Sequence, residues 1–448
     1  MIPSRFNIIV EDYPSPGQNL LFNTRTQALI RIDHRFRDCL KALPGSLDGP
    51  SDPRLKENLA GLLRNGVVSE GARQEQDKLD DFFRQLKAGS GSFPFEVTVL
   101  TTYACNFRCV YCFEESVKRN LSMDERTADA SVSWIEGQVE KRGIKRLFVV
   151  FYGGEPLLNT RPIYSISRRL RDWTAGRDVD FAFSMITNGS LLSPALVDDL
   201  LPLGLDSVRV SVDGDREAHD AHRPFADGRP TFDIVMGNIK AVADRVPVSI
   251  VGNFDRESFP LIPPFLDYLE AEGLLKKLKH IDFLPIAPRL GPRANPGAIE
   301  LNECLSSFGK EGMFDEVLAV KKEIARRGRR ALSGLGVNAC SLIIEGAGVT
   351  IDPLGDIYAC NALLGYPEFS VGKVSKEELN GRLGELGGHD AWKKCPADCP
   401  YVPMCQGGCR FFSFVENRDF SSLVCKRGYF DRIIPELIKL EYENSRAA

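Results

Sequence analysis

Hydrophobic and polar positions along the middle of the chain alternate between two periods. Apolar runs of strand length are separated by stretches in which apolar residues recur at helical spacing. The runs predict strands over residues 95–100, 146–152, 181–186, 207–212, 247–252 and 280–286. Regular alternation of strand and helix predicts an α/β fold with a parallel sheet and right-handed crossovers, either an open sheet or a partial barrel. Ligands of such folds bind at the carboxyl ends of the strands.

Two of the intervening helices carry a start signal. Ser122-Met-Asp-Glu125 has the spacing of a capping box, and Ser193 precedes a proline in the first-turn position of a helix. Both signals place a helix between two predicted strands, as the alternating pattern requires.

The first 88 residues have a different pattern. Residues 20–33 predict two short strands around a polar turn, and a further short strand follows the turn at Asn65-Gly66. Helical periodicity covers residues 34–43, 53–65 and 73–87. This arrangement predicts a small winged-helix-like domain, and the composition of residues 87–92 predicts a linker after it.

The number and positions of the cysteines give the strongest indication of function. Ten of the twelve cysteines fall in two groups, at 105–112 and at 340–425, while Cys39 and Cys304 stand alone and are expected to be structural. The sequence shows no signal peptide and no apolar run long enough to cross a membrane, which predicts a cytoplasmic protein. Disulfides do not persist in the reducing cytosol, so thiols in this number indicate metal. A net charge of −4 gives no reason to expect nucleic acid or a membrane as partner.

The first group is Cys105-Asn-Phe-Arg-Cys109-Val-Tyr-Cys112, directly after the first predicted strand. Three thiolates are one fewer than a [4Fe–4S] cluster normally takes from a protein, and an iron without a protein ligand can bind a small molecule. The alternatives are a zinc site or half of a ferredoxin pattern. The spacing matches neither paired CxxC units nor the bacterial ferredoxin run, so it favours a cluster with one open iron.

Polar or glycine-containing turns follow the next three predicted strands. They are Tyr152-Gly-Gly-Glu-Pro156, Thr187-Asn-Gly189 and Ser211-Val-Asp-Gly214, the last followed by His219-Asp220. Each turn alone is ordinary loop chemistry. Together, at one end of one sheet, they predict a ligand site.

This set of residues resembles the radical SAM superfamily over about residues 95–300. The resemblance implies a partial (β/α)6 barrel whose three thiolates hold a [4Fe–4S] cluster, with S-adenosylmethionine (AdoMet) bound to the open iron. It implies that Gly153, Gly154 and Glu155 hold the methionine amino group and that Tyr111 packs near the adenine. Further contacts to the ribose and carboxylate are expected from Ser184, Asn188, Ser211 and Arg223.

The second group of cysteines has its own spacing, Cx14Gx4C, a gap, Cx3Cx5Cx3C, a gap and a final cysteine. Zinc remains an alternative because thiolates alone do not identify the metal. The spacing resembles the SPASM domain of radical SAM peptide-modifying enzymes, which implies two auxiliary [4Fe–4S] clusters and three clusters in all. One would take Cys340, Cys360 and Cys409, and the other would take Cys395, Cys399, Cys405 and Cys425.

Two departures from the SPASM pattern stand out. Cys395-Pro-Ala-Asp-Cys399 is one residue longer than the usual CxxC. Residues 333–339, just upstream of Cys340, contain no cysteine that could complete the first auxiliary cluster. We therefore expect three protein thiolates on that cluster and a position that a substrate thiol, another residue or water could fill.

The predicted domains are a leader-peptide-recognition-like domain at 1–88, the radical SAM barrel at 93–300, a helical bridge at 301–335 and the SPASM domain at 336–448. A purely structural cap and a DNA-binding module are alternatives for the first. Its nearly balanced charge argues against DNA. In domains of the resembling kind, a leader segment adds as a strand to an exposed sheet edge.

The resulting functional hypothesis is a peptide maturase that removes a hydrogen atom from a precursor peptide and installs a thioether or another cross-link. Its expected partners are the precursor with its leader segment and an external electron donor such as a flavodoxin or ferredoxin. The alternatives are formylglycine formation of the sulfatase-maturase type and, in a different class, a multi-cluster electron carrier. No spacing rule identifies a catalytic base, although Asp213 and Glu155 lie in the predicted site region.

Overall fold

The computed structural model describes residues 1–43, 57–88, 94–112, 114, 120–286, 313–330, 334–337, 340–344, 348–376 and 378–447. Residues 89–92 of the linker predicted over 87–92, residues 301–312 of the predicted bridge and Cys304 lie outside the described residues. The same is true of the first four residues of the helix predicted over 53–65.

The N-terminal domain combines a small antiparallel sheet with three helices among its described residues. Its elements are β1 (Ile2–Pro3), β2 (Asn7–Val10), β3 (Gln18–Asn23), β4 (Leu29–Asp33), α1 (His34–Lys41), α2 (Leu59–Arg64), β5 (Val68–Ser69) and α3 (Ala72–Lys87). Strands β2, β3 and β4 form one sheet in that order, and β1 pairs with β5. The predicted β3–β4 hairpin and α3 are present, whereas β1 and β2 were not predicted.

Alternation along β3 explains how this domain attaches to the rest of the protein. Leu21 belongs to a core within the domain, where it packs with Ile32 and Phe36. Its neighbours Leu20 and Phe22 point to the opposite face and belong to the main core of the protein. Side chains of a strand alternate between its faces, so this one sheet is buried on both sides.

The predicted strands of the central sheet are all present. They are β6 (Phe95–Thr102), β7 (Arg146–Gly153), β8 (Asp180–Thr187), β9 (Leu205–Val210), β10 (Val248–Phe254) and β11 (His280–Pro285). Each is parallel to its neighbour in sequence. Strand β9 begins and ends two residues earlier than predicted. The fold class, a parallel α/β sheet curved as a partial barrel, is confirmed.

Helices cover the outer face of this sheet. They are α4 (Glu125–Arg142), α5 (Thr160–Thr174), α6 (Pro194–Leu200), α7 (Arg216–His222), α8 (Phe232–Val242) and α9 (Ile262–Ala271). The Ser193 cap of α6 is confirmed, since its hydroxyl accepts a hydrogen bond from the Leu196 N–H. The capping box predicted at Ser122 is wrong: Asp124 caps α4 by accepting from the Thr127 N–H. A carboxylate one residue before the helix is the stronger cap here because it also favours the positive end of the helix dipole.

The C-terminal region extends the sheet beyond β6. Its elements are α10 (Phe314–Arg326), β12 (Gly348–Ile351), β13 (Asp356–Tyr358), β14 (Gly372–Lys373), α11 (Arg382–Gly387), α12 (Val402–Cys405), α13 (Arg410–Asn417) and α14 (Arg427–Ala447). Strand β12 runs parallel to β6 and forms a hairpin with β13. The Tyr103 hydroxyl, just past β6, donates to the buried Asp352 carboxylate at 3.1 Å. This junction carries Cys360, two residues after β13, towards the carboxyl ends of the barrel strands.

The last helix, α14, contacts the main core, helix α10 and the N-terminal domain. Ile434 and Ile438 on it are fully buried in the main core. Its Glu436 accepts from Lys322 of α10 at 2.8 Å, and its Tyr442 ring packs edge-on against Tyr13 of the N-terminal domain. Among the described helices, none is both long enough and apolar enough to span a bilayer.

Candidate active site

Loops at the carboxyl ends of β6 to β9, together with the end of β10, surround one cavity of about 570 Å³. A cavity of this size is typical of cofactor and small-molecule sites. The predicted site residues in its wall are Cys105, Cys109, Tyr111, Cys112, Gly153, Gly154, Asn188, Ser211 and Arg223. The fold therefore brings together residues that are separated by more than a hundred positions in sequence.

The cysteine loop between β6 and α4 is held by backbone contacts. The N–H groups of Arg108 and Val110 donate to the carbonyls of Pro224 and His222, at 2.9 and 3.0 Å. Phe107 beneath the loop packs edge-on against Phe225, with ring centroids 5.1 Å apart. The three thiols thus sit on a loop fixed by the segment that follows α7.

Gly153 and Gly154 allow two chain segments to touch. A Cβ atom on Gly153 would lie 2.4 Å from the Thr102 carbonyl oxygen, and one on Gly154 would lie 2.3 Å from that of Ala104. Gly153 also has a φ of +140°, which L side chains rarely adopt. The Gly154 N–H donates to the Thr102 carbonyl at 3.0 Å. Glycine at both positions lets the end of β7 pack directly against the start of the cysteine loop.

Glu155 lies behind the cavity wall rather than in it. It is fully buried, and its carboxylate accepts hydrogen bonds from the Thr187 hydroxyl and from the N–H groups of Leu157 and Asn188, at 2.7 to 3.0 Å. Burial raises the pKa of Glu155, and these three hydrogen bonds oppose that shift. This differs from the expected direct contact with a ligand: the carboxylate joins the turn after β7 to the turn after β8 and so positions Asn188.

Asn188 and Ser184 have different locations. The Asn188 side chain donates to the Asn106 side chain at 2.8 Å and approaches the Cys105 sulfur to 4.0 Å, within the cavity. Ser184 lies in the middle of β8, two residues before Ile186 on the same face, and only Ile186 of these two lines the cavity. Ser184 is therefore not among the residues that line this cavity.

A buried polar network closes the side of the cavity near Tyr111. The Tyr111 hydroxyl donates to Asp213 at 2.5 Å and accepts from Arg223 at 2.6 Å. Asp213 is fully buried and also accepts from the Asn253 N–H at 3.0 Å. Burial alone would raise the pKa of Asp213, but Arg223 and His222 outweigh it and hold that pKa below its ordinary value. The network fixes the tyrosine ring and the guanidinium that face the cavity.

His222 lies between two carboxylates in this network. Its ring nitrogens lie 3.5 Å from Asp213 and 3.4 Å from Asp255. Burial opposes the charged form, but the two carboxylates outweigh it and raise the pKa of His222 to about 9.

This raised pKa predicts a pH-dependent contribution to stability. The contribution is fully present below the ordinary histidine pKa of about 6.5 and is lost as the pH rises through about 9. We expect the difference in thermal unfolding midpoint between wild type and His222→Gln to be largest at pH 6 and to shrink towards pH 9.5. A difference that stays constant over that range would contradict the charge assignment.

Residues 99–255 match the family model of the Radical SAM superfamily. The matched segment runs from β6 to the end of β10 and contains the cysteine loop, both glycines and the buried network. The chain carries a radical SAM domain.

Known proteins resemble the chain beyond that domain. Mycofactocin maturase MftC of Mycobacterium tuberculosis is 24% identical over 359 residues, which covers 75% of this chain and 82% of MftC. The serine-type anaerobic sulfatase-maturating enzyme of Bacteroides thetaiotaomicron is 22% identical over 397 residues, covering 77% and 90% of the two chains. The structure of SuiB from Streptococcus suis matches with a TM-score of 0.53 at 15% identity and covers 95% of this chain and 99% of SuiB. The protein is an enzyme with a radical SAM domain, and it shares the fold of SuiB over most of its length.

The residues of the radical SAM domain fit the cofactors that the family implies, one [4Fe–4S] cluster and AdoMet. Three thiol donors line one cavity, and Gly153 and Gly154 form part of the same wall. Within the described part of the chain, no three His, Cys, Asp or Glu side chains converge closely enough to hold a single metal ion. The thiolates of a four-iron cluster bind different iron atoms, so they stand farther apart than the ligands of one ion.

Replacing one of the two glycines tests whether this part of the cavity wall binds AdoMet. We expect Gly154→Ala to weaken AdoMet binding about tenfold or more, because relieving a contact of 2.3 Å requires a backbone shift next to Cys105. Equilibrium binding of AdoMet to the reconstituted protein measures this effect. Gly137→Ala is the matched control, since nothing lies within 4 Å of a Cβ at that helical position. Equal affinities for AdoMet in both variants would show that Gly154 is not part of the AdoMet site.

Two C-terminal cysteines open into the same cavity as the radical SAM cysteines. Cys360 and Cys409 line its far wall together with Asn361 and the aromatic side chains of Tyr366, Phe411 and Phe412. Burial raises the pKa of Cys360 to about 12, and the neighbouring thiols of Cys409 and Cys340 add to that shift. The structure therefore groups Cys340, Cys360 and Cys409, as the sequence predicts for the first auxiliary site.

The remaining predicted ligands form a second group. Cys395, Cys399, Cys405 and Cys425 all line one small cavity, with Tyr401 and Phe430 beside them. Burial raises the pKa of Cys395 to about 12, with Cys405, Cys399 and Cys425 adding to the shift. The longer Cys395–Cys399 loop still delivers both thiols to this cavity.

Arg410 stands between the two groups of thiols. It is fully buried, and its guanidinium donates to the backbone carbonyls of Gly407, Gly408, Phe420 and Ser422. Burial lowers the pKa of Arg410, and the thiols of Cys409, Cys340 and Cys405 oppose that shift. One cation thus lies close to ligands of both sites and connects the Cys405–Cys409 loop to the segment that leads to Cys425.

Several cavity residues were missing from the sequence prediction. Arg209, Val251 and Asn253 enter the wall from β9 and β10, and Glu114 enters from beyond the cysteine loop. Period-two alternation could have identified Arg209, because it stands between the buried helix-facing Val208 and Val210. Phe411 and Phe412 follow Cys409 directly, and only their helix register decides that they face the cavity.

Proposed function

We propose that the protein is a radical SAM/SPASM maturase that modifies a precursor peptide. One observation supports this most strongly: the cavity that holds Cys105, Cys109 and Cys112 is also lined by Cys360 and Cys409. A substrate side chain in that space would lie between the AdoMet site and the first auxiliary site. An electron carrier would need no such enclosed space next to its clusters.

The proposal includes three [4Fe–4S] clusters. The first takes Cys105, Cys109 and Cys112, and the auxiliary clusters take Cys340, Cys360 and Cys409, and Cys395, Cys399, Cys405 and Cys425. Cys360 and Cys409 line the first cavity and the four other auxiliary cysteines line the second, which supports this assignment, and Cys340 lies near Cys409. When bound, AdoMet and the first cluster supply a 5′-deoxyadenosyl radical that removes a hydrogen atom from the substrate.

The surrounding residues bind, orient and exclude water. Asn188 and Arg223 present an amide and a guanidinium that can hold the polar ends of AdoMet, with Gly153 and Gly154 contributing backbone groups. Phe411 and Phe412 close the opposite wall and keep water from a radical formed there. Glu155 keeps Asn188 in place from behind.

The proposed substrate is a ribosomally made peptide with a leader segment. MftC is a maturase, and one SuiB structure is bound to the precursor peptide SuiA. Within the described residues, β4 is an edge strand of the N-terminal sheet, which supports leader binding by strand addition. An external flavodoxin or ferredoxin in the cytoplasm would supply the electron that AdoMet cleavage needs.

The proposed product is a thioether between a cysteine sulfur and a peptide carbon, because the first auxiliary site has three cysteines and opens on the reaction cavity. The test is anaerobic incubation with AdoMet, a reductant and short peptides encoded beside the gene. A loss of about two mass units with one thiol lost per modification is expected, since forming the bond removes two hydrogen atoms. The same mass loss with an unchanged thiol count would replace the thioether by a carbon–carbon or carbon–oxygen cross-link.

Formylglycine formation remains the alternative outcome, since a sulfatase-maturating enzyme is among the relatives. A sulfatase-derived serine or cysteine peptide converted to an aldehyde would establish it. Clusters without any 5′-deoxyadenosine formation would instead identify an electron carrier.

A further inference from the structure

The loop that carries two ligands of the second auxiliary site is in contact with the N-terminal domain. Cys395 and Cys399 flank Pro396, Ala397 and Asp398, and Cys395 follows a short 3-10 helix at Ala391–Lys394. Such a loop has few hydrogen bonds of its own: the Cys395 N–H donates to Trp392 and the Cys399 N–H to Pro396. Its other backbone carbonyls are available to partners outside it.

Two side chains of the N-terminal domain donate to backbone carbonyls, one within this loop and one directly after it. Arg5 donates through Nη1 to the Ala397 carbonyl at 2.7 Å, and the Thr24 hydroxyl donates to the Pro400 carbonyl. The two acceptors lie on either side of Cys399. The position of this ligand is therefore fixed from a domain almost 400 residues away in sequence.

Both donors are held rigidly in their own domain. The second terminal nitrogen of Arg5 donates to Gln76 at 2.8 Å, and its backbone N–H donates to the buried Glu75 carboxylate at 3.2 Å. Thr24 is fully buried, and its backbone N–H donates to the Phe6 carbonyl at 3.0 Å. Donors already fixed in place lose little conformational entropy when they bind the loop.

Helix α3 supports the start of the same loop. The Phe83 ring stacks on Trp392, with centroids 4.2 Å apart and planes within 10° of each other. Lys87 forms an ion pair with Asp390 at the start of the 3-10 helix. The Trp392 carbonyl in turn accepts from the Cys395 N–H at 3.1 Å. Both cysteines of the loop are thus positioned through contacts with the N-terminal domain.

We propose that Arg5 and Thr24 are positioning residues of the second auxiliary site, so that the N-terminal domain acts as a clamp on the Cys395–Cys399 loop as well as a site for the leader. This inference rests on the proposed function in one respect, namely that these cysteines hold a cluster. A leader peptide would then bind to the same domain that positions the loop of this cluster.

The test compares Arg5→Gln/Thr24→Val with wild type and with Arg84→Gln as full-length, anaerobically reconstituted proteins. Arg84 is an exposed residue of α3 that pairs with Asp81, so its replacement leaves the loop untouched. The first measurement is the rate of iron release to a chelator. The second is the midpoint potential of each cluster, followed by electron paramagnetic resonance.

We expect the double variant to release the iron of one cluster about tenfold faster, since two hydrogen bonds to the loop are lost, while the remaining iron leaves at the wild-type rate. One midpoint potential shifts and the others stay. Thr24→Val alone, which leaves the Arg5–Glu75 pair intact, gives a smaller effect in the same cluster. Release rates and potentials equal to those of Arg84→Gln would overturn the clamp.

The two proposals fail in different ways. If Cys395→Ala/Cys399→Ala has the same iron content as wild type, no cluster is bound there and both the second auxiliary cluster and the clamp are wrong. If that variant loses the iron of one cluster and Arg5→Gln/Thr24→Val behaves like wild type, the clamp alone is wrong.

Discussion

Replacing Cys360 and Cys409 by alanine should abolish peptide modification while AdoMet cleavage continues. Both thiols line the same cavity as the cysteine loop, and we assign them to the proposed first auxiliary site. The first cluster depends on Cys105, Cys109 and Cys112 alone, so 5′-deoxyadenosine should still form without product. We expect the iron content to fall by about four atoms per chain and the modified peptide to fall below detection.

Iron analysis and mass spectrometry of peptide and nucleoside in the same reaction measure this separation. Cys39→Ala is the matched control, because Cys39 packs at the edge of the small N-terminal core and should not affect iron content. Retained peptide modification in the double variant would show that the first auxiliary site has no part in the reaction.

Replacing Arg410 by methionine should remove iron from both auxiliary sites at once. The guanidinium donates to carbonyls of four residues in the completely buried region between them. Methionine removes these donors, and although Gly407 and Ser422 keep hydrogen bonds from the Val424 N–H and the Ser413 hydroxyl, the loss costs about 1–3 kcal/mol for each buried group that stays unsatisfied. We expect a loss of about two thirds of the iron, which is two clusters of three, and a thermal unfolding midpoint lower by several degrees.

Two comparison variants separate charge from hydrogen bonding at this position. Arg410→Lys retains the charge but cannot reach all of the carbonyls, so it should retain more iron than Arg410→Met. Arg382→Met changes an exposed arginine of α11 that pairs loosely with Glu385 and should match wild type. Full iron content and an unchanged midpoint in Arg410→Met would contradict the linking role of Arg410.

The sequence was most informative where one physical signal dominated. The barrel strands followed from their apolar runs, and Ser193 was identified as a cap because a proline fixes the first turn after it. Strand β2 was missed because Asn7–Val10 has only four residues, although Pro14-Ser-Pro-Gly17 marks the turn that joins it to β3. Ser122 and Asp124 could both cap the helix that follows. The backbone geometry selects Asp124, and the spacing of residue types does not predict that geometry.

The residues of the candidate site also fall into those that a sequence pattern predicts and those that it does not. The grouping of Cys395, Cys399, Cys405 and Cys425 was implied by the resemblance to the SPASM domain, because spacing alone does not separate Cys405 from Cys409. The burial of Glu155 behind the cavity wall could not be predicted, since it depends on the turn after β8, more than thirty residues away. The contacts from Arg5 and Thr24 to the cluster loop connect opposite ends of the chain, and no local pattern predicts them.

The central claim is that Cys105, Cys109 and Cys112 hold the cluster that cleaves AdoMet. Its most direct test is 5′-deoxyadenosine formed under anaerobic conditions with AdoMet and dithionite, by wild type and by Cys105→Ala/Cys109→Ala/Cys112→Ala. The account predicts sustained formation by wild type and none by the triple variant, whose auxiliary iron remains bound. Equal formation by both proteins, or none by an iron-loaded wild type, would contradict it.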